Sequence, residues 1–336
     1  MFFTSTSLRS QGFKEAEAQR SANQCFSFVS EHPSKNRALI HALQKIVLMN
    51  YEVFFQLLLN GLVLGSSYVL VAAGFTLVYG TARVFNFAHG HFYMLGAFIY
   101  GGLVLLGVPW ILSLVIAGLA SGLLGFLTWH ILFKPLYFDV FLTVATSVGL
   151  GYIMVQGIIV TVGERDLVVP SVLKGVLTLG GTTISLEKLS IVLISLGMMV
   201  SLHLFLKSKI GKALEATTID QEGASLQGIN PQWMLVIAMI LGSALAGMAG
   251  AVIVPYLSAQ PNMGYPITTT YLCIVVVAGH GSLKGAVIIG LLFGLVKSFG
   301  YHFFGTWDYT IMMLLVAIIM YIRPWGIWGV EFRRRI

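Results

Sequence analysis

Charge is scarce in this sequence. Only 10% of its 336 residues are Asp, Glu, Lys or Arg, against roughly 25% in an ordinary soluble domain. With 57% of residues hydrophobic, the chain carries more apolar surface than a core of this size could hide from water, which excludes a water-soluble globule. Cysteine is scarcer still: Cys25 and Cys273 lie far apart, the second inside an apolar run, so neither a disulfide framework nor a cysteine metal site is supported. A phosphate-cradling GxxxxGK[ST] loop is also missing. At the nearest candidate, Gly211 and Lys212, Leu206 stands where the first Gly should be and Ala213 follows the Lys, so the motif is not met. No metal or cofactor is called for.

What is abundant is apolar sequence in long runs, together with 37 glycines, which are commoner in membrane helices because they let backbones approach. About 20 apolar residues cross ~30 Å of hydrocarbon at 1.5 Å per residue. Runs of that kind stand at residues 53–79, 90–107, 110–132, 141–162, 188–206, 232–257 and 308–322. Two shorter runs in 266–300 are split by AGHGSLKG at 278–285, as two short or tilted helices or with one of them re-entrant. The expectation is an all-α polytopic membrane protein with eight or nine crossings. It has a transmembrane domain over 49–330, a polar and disordered tail over 1–48, and a basic C-terminus at 331–336.

The formal net charge of +7 invites a nucleic-acid reading, but no basic face interleaved with aromatics occurs. The cations sit in short loops, where they set orientation. With the 207–231 loop inside, Arg83, Lys134, Lys207, Lys209, Lys212, Lys284, Arg323 and Arg333, Arg334 and Arg335 are cytoplasmic, while Arg165, Lys174 and Lys188 are outside. Nine crossings then place the N-terminus outside. That fits a translation start at Met49 better than one at Met1, which would put six further basic residues on the wrong side.

The loop SKIGKALEATTIDQEGASLQGINP at 208–231 is long for a connection between membrane helices. It is rich in helix formers and amphipathic, with Ala213, Leu214, Ala216, Ala224 and Leu226 among charges. Asn230 before Pro231 marks the start of the next helix. Such a segment either docks as a short helix in a partner's groove or rests on lipid headgroups.

These residues carry a resemblance. The 208–230 loop resembles the EAA-type coupling loop of ABC importer permeases, and its form EGASLQGIN is similar to that of the LivH and LivM branched-chain amino acid permeases. Four further matches follow that family's order: VYGTARVFNFAHGHFYMLGAF at 78–98, GERDLVVPS at 163–171, AGHGSLKGAVIIG at 278–290 and RPWGIWG at 323–329. Together they cover about residues 54–329 and fit the LivH type better. His280 and Lys284 depart from it, since the family more often has an apolar residue and a Pro there.

The resemblance implies the ABC importer permease fold in a multi-pass inner membrane protein without its own ATPase. It implies a second permease subunit of the LivM type, two cytoplasmic ABC ATPase subunits, a periplasmic or lipid-anchored solute-binding protein and an amino acid substrate. Glu215, Asp220, Glu222, Ser225, Leu226 and Gly228 are then the residues expected at the ATPase. Glu164, Arg165 and Asp166 offer charge pairs to the binding protein. The same architecture also serves urea, short amides and other amino acids.

Polar groups inside the spans are weighed separately. Asn60, Ser66, Asn86, His89 and Gly90 are candidates either for lining the path or for capping and helix packing, since an unpaired polar group at depth costs several kcal/mol. Lys297, in an apolar run, either snorkels to the nearer surface or pairs with Asp308 at a subunit interface. His89 and His91, two apart, fall on different helix faces and make no catalytic pair. No acidic residue lies near the middle of a confident span, which weighs against a secondary transporter or channel.

Overall fold

The computed structural model describes residues 51–328 apart from 138, 172, 174, 180, 181 and 280. The 1–48 tail, the Met49 start, Lys174, His280 and the C-terminal arginines therefore lie outside the described residues. Within them the chain is almost wholly helical. In order come α1 (Tyr51–Ala82), α2 (His89–Leu105), α3 (Trp110–Thr128, prolonged through a π turn at Trp129–Phe133 to Leu136) and α4 (Val140–Val162). A β-hairpin follows, β1 (Val176–Leu179) with β2 (Thr182–Ser185), antiparallel with Val176 opposite Ser185. Then come α5 (Leu186–Lys207), α6 (Lys209–Ile219), α7 (Gln221–Leu226), α8 (Pro231–Leu257), α9 (Gly264–Ala278), α10 (Leu283–Phe304) and α11 (Asp308–Ile322).

Nine of these helices among the described residues, all but α6 and α7, follow the apolar runs of the sequence. Six helical stretches are long and apolar enough to cross a membrane, taking α10 and α11 together as 283–322. With the shorter α2 and α9, and with α10 and α11 counted separately, the apolar helices among the described residues number nine, within the expected eight or nine. AGHGSLKG is a turn between two helices: Gly279 and Gly281 have φ of 96° and 83°, and Ser282 caps α10 by accepting from Gly285 N–H at 3.1 Å. The hairpin β1–β2 is the one element that the run lengths do not announce.

The core is built around α1 and α8. Of their most apolar windows, 83% and 72% are buried, against 22% for α4 and 17% for α5. Glycine makes this close packing possible. Gly74 of α1 and Gly242 of α8 press backbone to backbone, and a Cβ on either would stand 2.6 Å from the other's carbonyl oxygen. Gly61 and Gly65 face α10 in the same way, at Leu295 and Leu291. Gly61, Gly65 and Gly74 of α1 thus serve helix packing.

Two charged groups in the apolar layer find partners inside the chain. Lys297 forms an ion pair with the buried Asp308 across the α10–α11 turn, and its ammonium lies 5.7 Å from the Tyr309 ring centre. The pairing considered for a subunit interface is therefore made within one chain. Lys188 donates to Asn60 Oδ1 at 2.7 Å and stands over the Tyr256 ring.

Candidate functional site

The segments that carry the resemblance are far apart in sequence and meet in pairs. At one end of the bundle, residues 81–83 at the end of α1 receive the loop helices. Gln221 donates from Nε2 to Thr81 O at 2.7 Å and to the Tyr137 hydroxyl at 3.3 Å, and the Thr81 and Thr218 hydroxyls are 3.4 Å apart. At the same end, RPWGIWG returns over the end of α9: Ile327 N–H donates to Val277 O at 2.8 Å and Trp328 N–H to Ala278 O at 3.0 Å. At the opposite end, GERDLVVPS pairs with the α8–α9 connection through a two-way bridge of Leu167 and Ala259, each 2.9 Å.

The 208–231 loop forms two helices because three short polar residues cap them. Ser208 accepts from Gly211 N–H at 3.2 Å, Asp220 from Glu222 N–H at 3.0 Å, and Asn230 from Gln232 N–H at 3.0 Å. Each satisfies a backbone donor that a helix start leaves open. Asp220 breaks the loop into α6 and α7, and Gly228 ends α7 with φ of 81°, a conformation that disfavours any Cβ. One side of the pair is buried against the bundle at Gly211, Leu214, Thr217 and Ala224.

The other side faces away from the protein and carries Glu215, Asp220, Glu222, Ser225, Leu226 and Gly228, all exposed. Leu226 is 86% exposed and Ile219 74%. The pair is thus packed on the bundle through Leu214 and Ala224, with Ile219 and Leu226 held outward among carboxylates. Ile219 was missed by sequence reasoning, although it stands one turn after Glu215 and so shares its face.

The interior candidates make their contacts within the chain. Asn86 and His89 are fully buried. Asn86 Oδ1 accepts from Ala88 N–H at 2.9 Å, and its backbone carbonyl accepts from the Tyr271 hydroxyl at 2.9 Å. His89 Nε2 lies 3.2 Å from Val71 O, so the proton is on that nitrogen. Around them Phe75, Tyr79, Phe85 and Tyr271 form one aromatic cluster. Gly90 admits α9 at Gly264 and Thr268. Ser66 donates back to Val63 O, and Asn60 holds Lys188. Glu164, Arg165 and Asp166 are exposed at the far end, where Asp166 accepts from Gln260 Nε2 at 2.8 Å.

Comparison with known proteins agrees with this arrangement. The profile of the family described as "Branched-chain amino acid transport system / permease component" matches residues 57–322. The chain is 28% identical over 295 residues to the high-affinity branched-chain amino acid transport system permease protein BraD of Pseudomonas aeruginosa, covering 82% of this chain and 96% of that one. It is 27% identical over 294 residues to the permease protein LivH of Escherichia coli, with the same coverage. A probable LivH of Methanocaldococcus jannaschii is 26% identical over 298 residues, 83% of this chain and 94% of that one. A bundle of membrane-length helices, a capped loop-helix pair clamped to one end and a match across nearly the whole bundle lead to one assignment: the chain belongs to the branched-chain amino acid permease family.

Proposed function

We infer that this chain is the permease subunit of an ATP-driven importer for branched-chain amino acids, embedded as a multi-pass membrane protein. The observation that carries the reading is the α6–α7 pair: anchored by Gln221 and Thr218 on α1, it offers Glu215, Ile219, Glu222, Ser225 and Leu226 to a partner. ATP-binding subunits that close on that face displace a lever whose other side grips α1, and α1 lies at the centre of the packing. Energy released outside the chain thereby biases the arrangement of helices inside it, a coupling between two sites. The lack of a phosphate-cradling loop fits this division of labour, with hydrolysis in two separate ATPase subunits.

A second permease of the LivM type completes the membrane unit. A solute-binding protein lands on the opposite end, where Glu164, Arg165 and Asp166 are exposed and steer its approach.

The test is Leu226→Glu in the assembled importer. The side chain is almost wholly exposed, so the change leaves stability within about 0.5 kcal/mol, and the amount of protein in the membrane should not move. Stimulated ATPase activity and leucine uptake should be lost. Normal vanadate-sensitive uptake by this variant removes α6–α7 from the ATPase interface. The same assay with labelled urea beside labelled leucine decides the substrate class.

A further inference from the structure

The uncovered faces of the bundle are of two kinds. On α3 the exposed large residues are Ile111, Leu112, Val115, Leu119, Leu123 and Leu127, and on α5 they are Leu189, Leu193, Leu196, Val200 and Leu204. Both faces suit lipid. The uncovered face of α4 is mixed: among the exposed Val148, Ile153 and Val160, its middle turns also expose Tyr152 and Gln156. Beside it, α9 exposes Tyr265 and Thr269, one turn apart. The two sets are continuous, because the Tyr152 and Tyr265 rings are 5.9 Å apart. Behind them His91 fixes the spacing of the two helices, its ring wedged between Gly151 of α4 and Gly264 of α9 and edge-on to Tyr265 at 4.9 Å.

A side-chain amide or hydroxyl that faces hydrocarbon without a partner costs roughly 2–7 kcal/mol. Gln156 exposes such a group at membrane depth; the Thr269 hydroxyl, donating to Tyr265 O at 3.4 Å, and two tyrosine hydroxyls lie on the same face. Gly149 and Gly157, on the same helix, leave this face open, with no atom within 4 Å of where a Cβ would stand.

We propose that Tyr152, Gln156, Tyr265 and Thr269 form this subunit's wall of a water-filled translocation path that carries a zwitterionic amino acid, the opposite wall coming from the second permease. The proposal rests on the importer reading above. It places the path on a sparsely covered side of the chain. The five interior candidates, Asn60, Ser66, Asn86, His89 and Gly90, then act by holding α1, α2 and α9 in register behind it. The wall is mixed aromatic and amide, with no fixed charge, so an amino acid with both charges balanced passes without being held by an ion pair.

The test uses the complete importer in membranes, in a background carrying Cys25→Ser and Cys273→Ser that still imports leucine. Single cysteines are placed at positions 152, 156, 265 and 269, with Leu119→Cys and Leu193→Cys as lipid-facing controls, and each is treated with a charged, membrane-impermeant methanethiosulfonate. Because only a hydrated thiol ionises and reacts readily, the four wall positions should label at least about tenfold faster than the controls. Leucine should slow that labelling.

Labelling at the control rate, in a complex that still imports, overturns the wall assignment and leaves the importer reading intact. Fast labelling in a complex that imports no branched-chain amino acid supports the wall and removes the substrate instead. Gln156→Leu gives an independent arm. At a lipid or dry contact it leaves uptake at the wild-type level, which counts against the wall. On a path it lowers uptake several-fold with the amount of membrane protein unchanged.

Discussion

Replacing Gly74 by Ala puts a methyl group where the two central helices touch. The new Cβ would lie 2.6 Å from Gly242 O, where 3.4 Å is the beginning of ordinary contact. The obstacle is backbone, which no rotamer change can move aside, so α1 and α8 must part by about 0.8 Å. A gap of about 0.5–1 Å forfeits a quarter to a half of each contact energy along the seam, and overpacking of this kind costs about 1–3 kcal/mol. With no flexible neighbour the upper end applies. Set against it is the gain of about 0.5–1 kcal/mol that Ala has over Gly inside a helix. The net is a loss of about 2 kcal/mol, roughly a thirtyfold shift in the folding equilibrium.

Gly197→Ala is the internal control. That glycine sits on the uncovered face of α5 with nothing within 4 Å, so only the propensity gain remains and the sign reverses. Thermal unfolding of the two purified variants in the same detergent, with their amounts in the membrane, measures the difference. Gly74→Ala should unfold several degrees below wild type and Gly197→Ala at or above it. Gly74→Ala unfolding no earlier than Gly197→Ala would refute the reasoning that backbone contact at this crossing holds the bundle together.

Two further outcomes follow from the interior. Tyr271→Phe removes the hydroxyl that donates to Asn86 O. That carbonyl keeps the His89 N–H at 3.2 Å, so the variant should lose about 1 kcal/mol and not the ~3 kcal/mol of a fully orphaned acceptor; a thermal midpoint indistinguishable from wild type contradicts the assignment. Asp308→Asn leaves Lys297 without its counter-charge in the outer part of the apolar layer. Lys297 is 31% exposed, so the cost should be about 1–2 kcal/mol, below the 3–5 kcal/mol of a fully buried pair. Adding Lys297→Met should recover most of it, and strictly additive losses in that double-mutant cycle would show that the pair contributes nothing.

Much of this protein was settled by local sequence. Run length and composition decided the membrane helices, because lipid demands that each crossing satisfy its own backbone. The loop helices α6 and α7 begin at Ser208 and Asp220 and α8 at Asn230 because a short side-chain oxygen there accepts a nearby N–H, an interaction complete within three residues. The amphipathic pattern of the 208–231 loop likewise marked Glu215, Glu222 and Ser225 as outward residues, while the exposed Ile219 was not singled out.

Tertiary structure alone decided what depends on distant segments. The bonds from Gln221 to Thr81 and from Tyr271 to Asn86 span 140 and 185 residues, and no local pattern encodes such a pairing. Glycine shows the difference plainly: Gly74 and Gly197 read alike in sequence, yet one is pressed against a neighbouring backbone and the other is open. The polar face of α4 and α9 was equally hidden. Each helix contributes only two polar side chains to it, and they become a continuous surface when packing against His91 sets the two helices side by side.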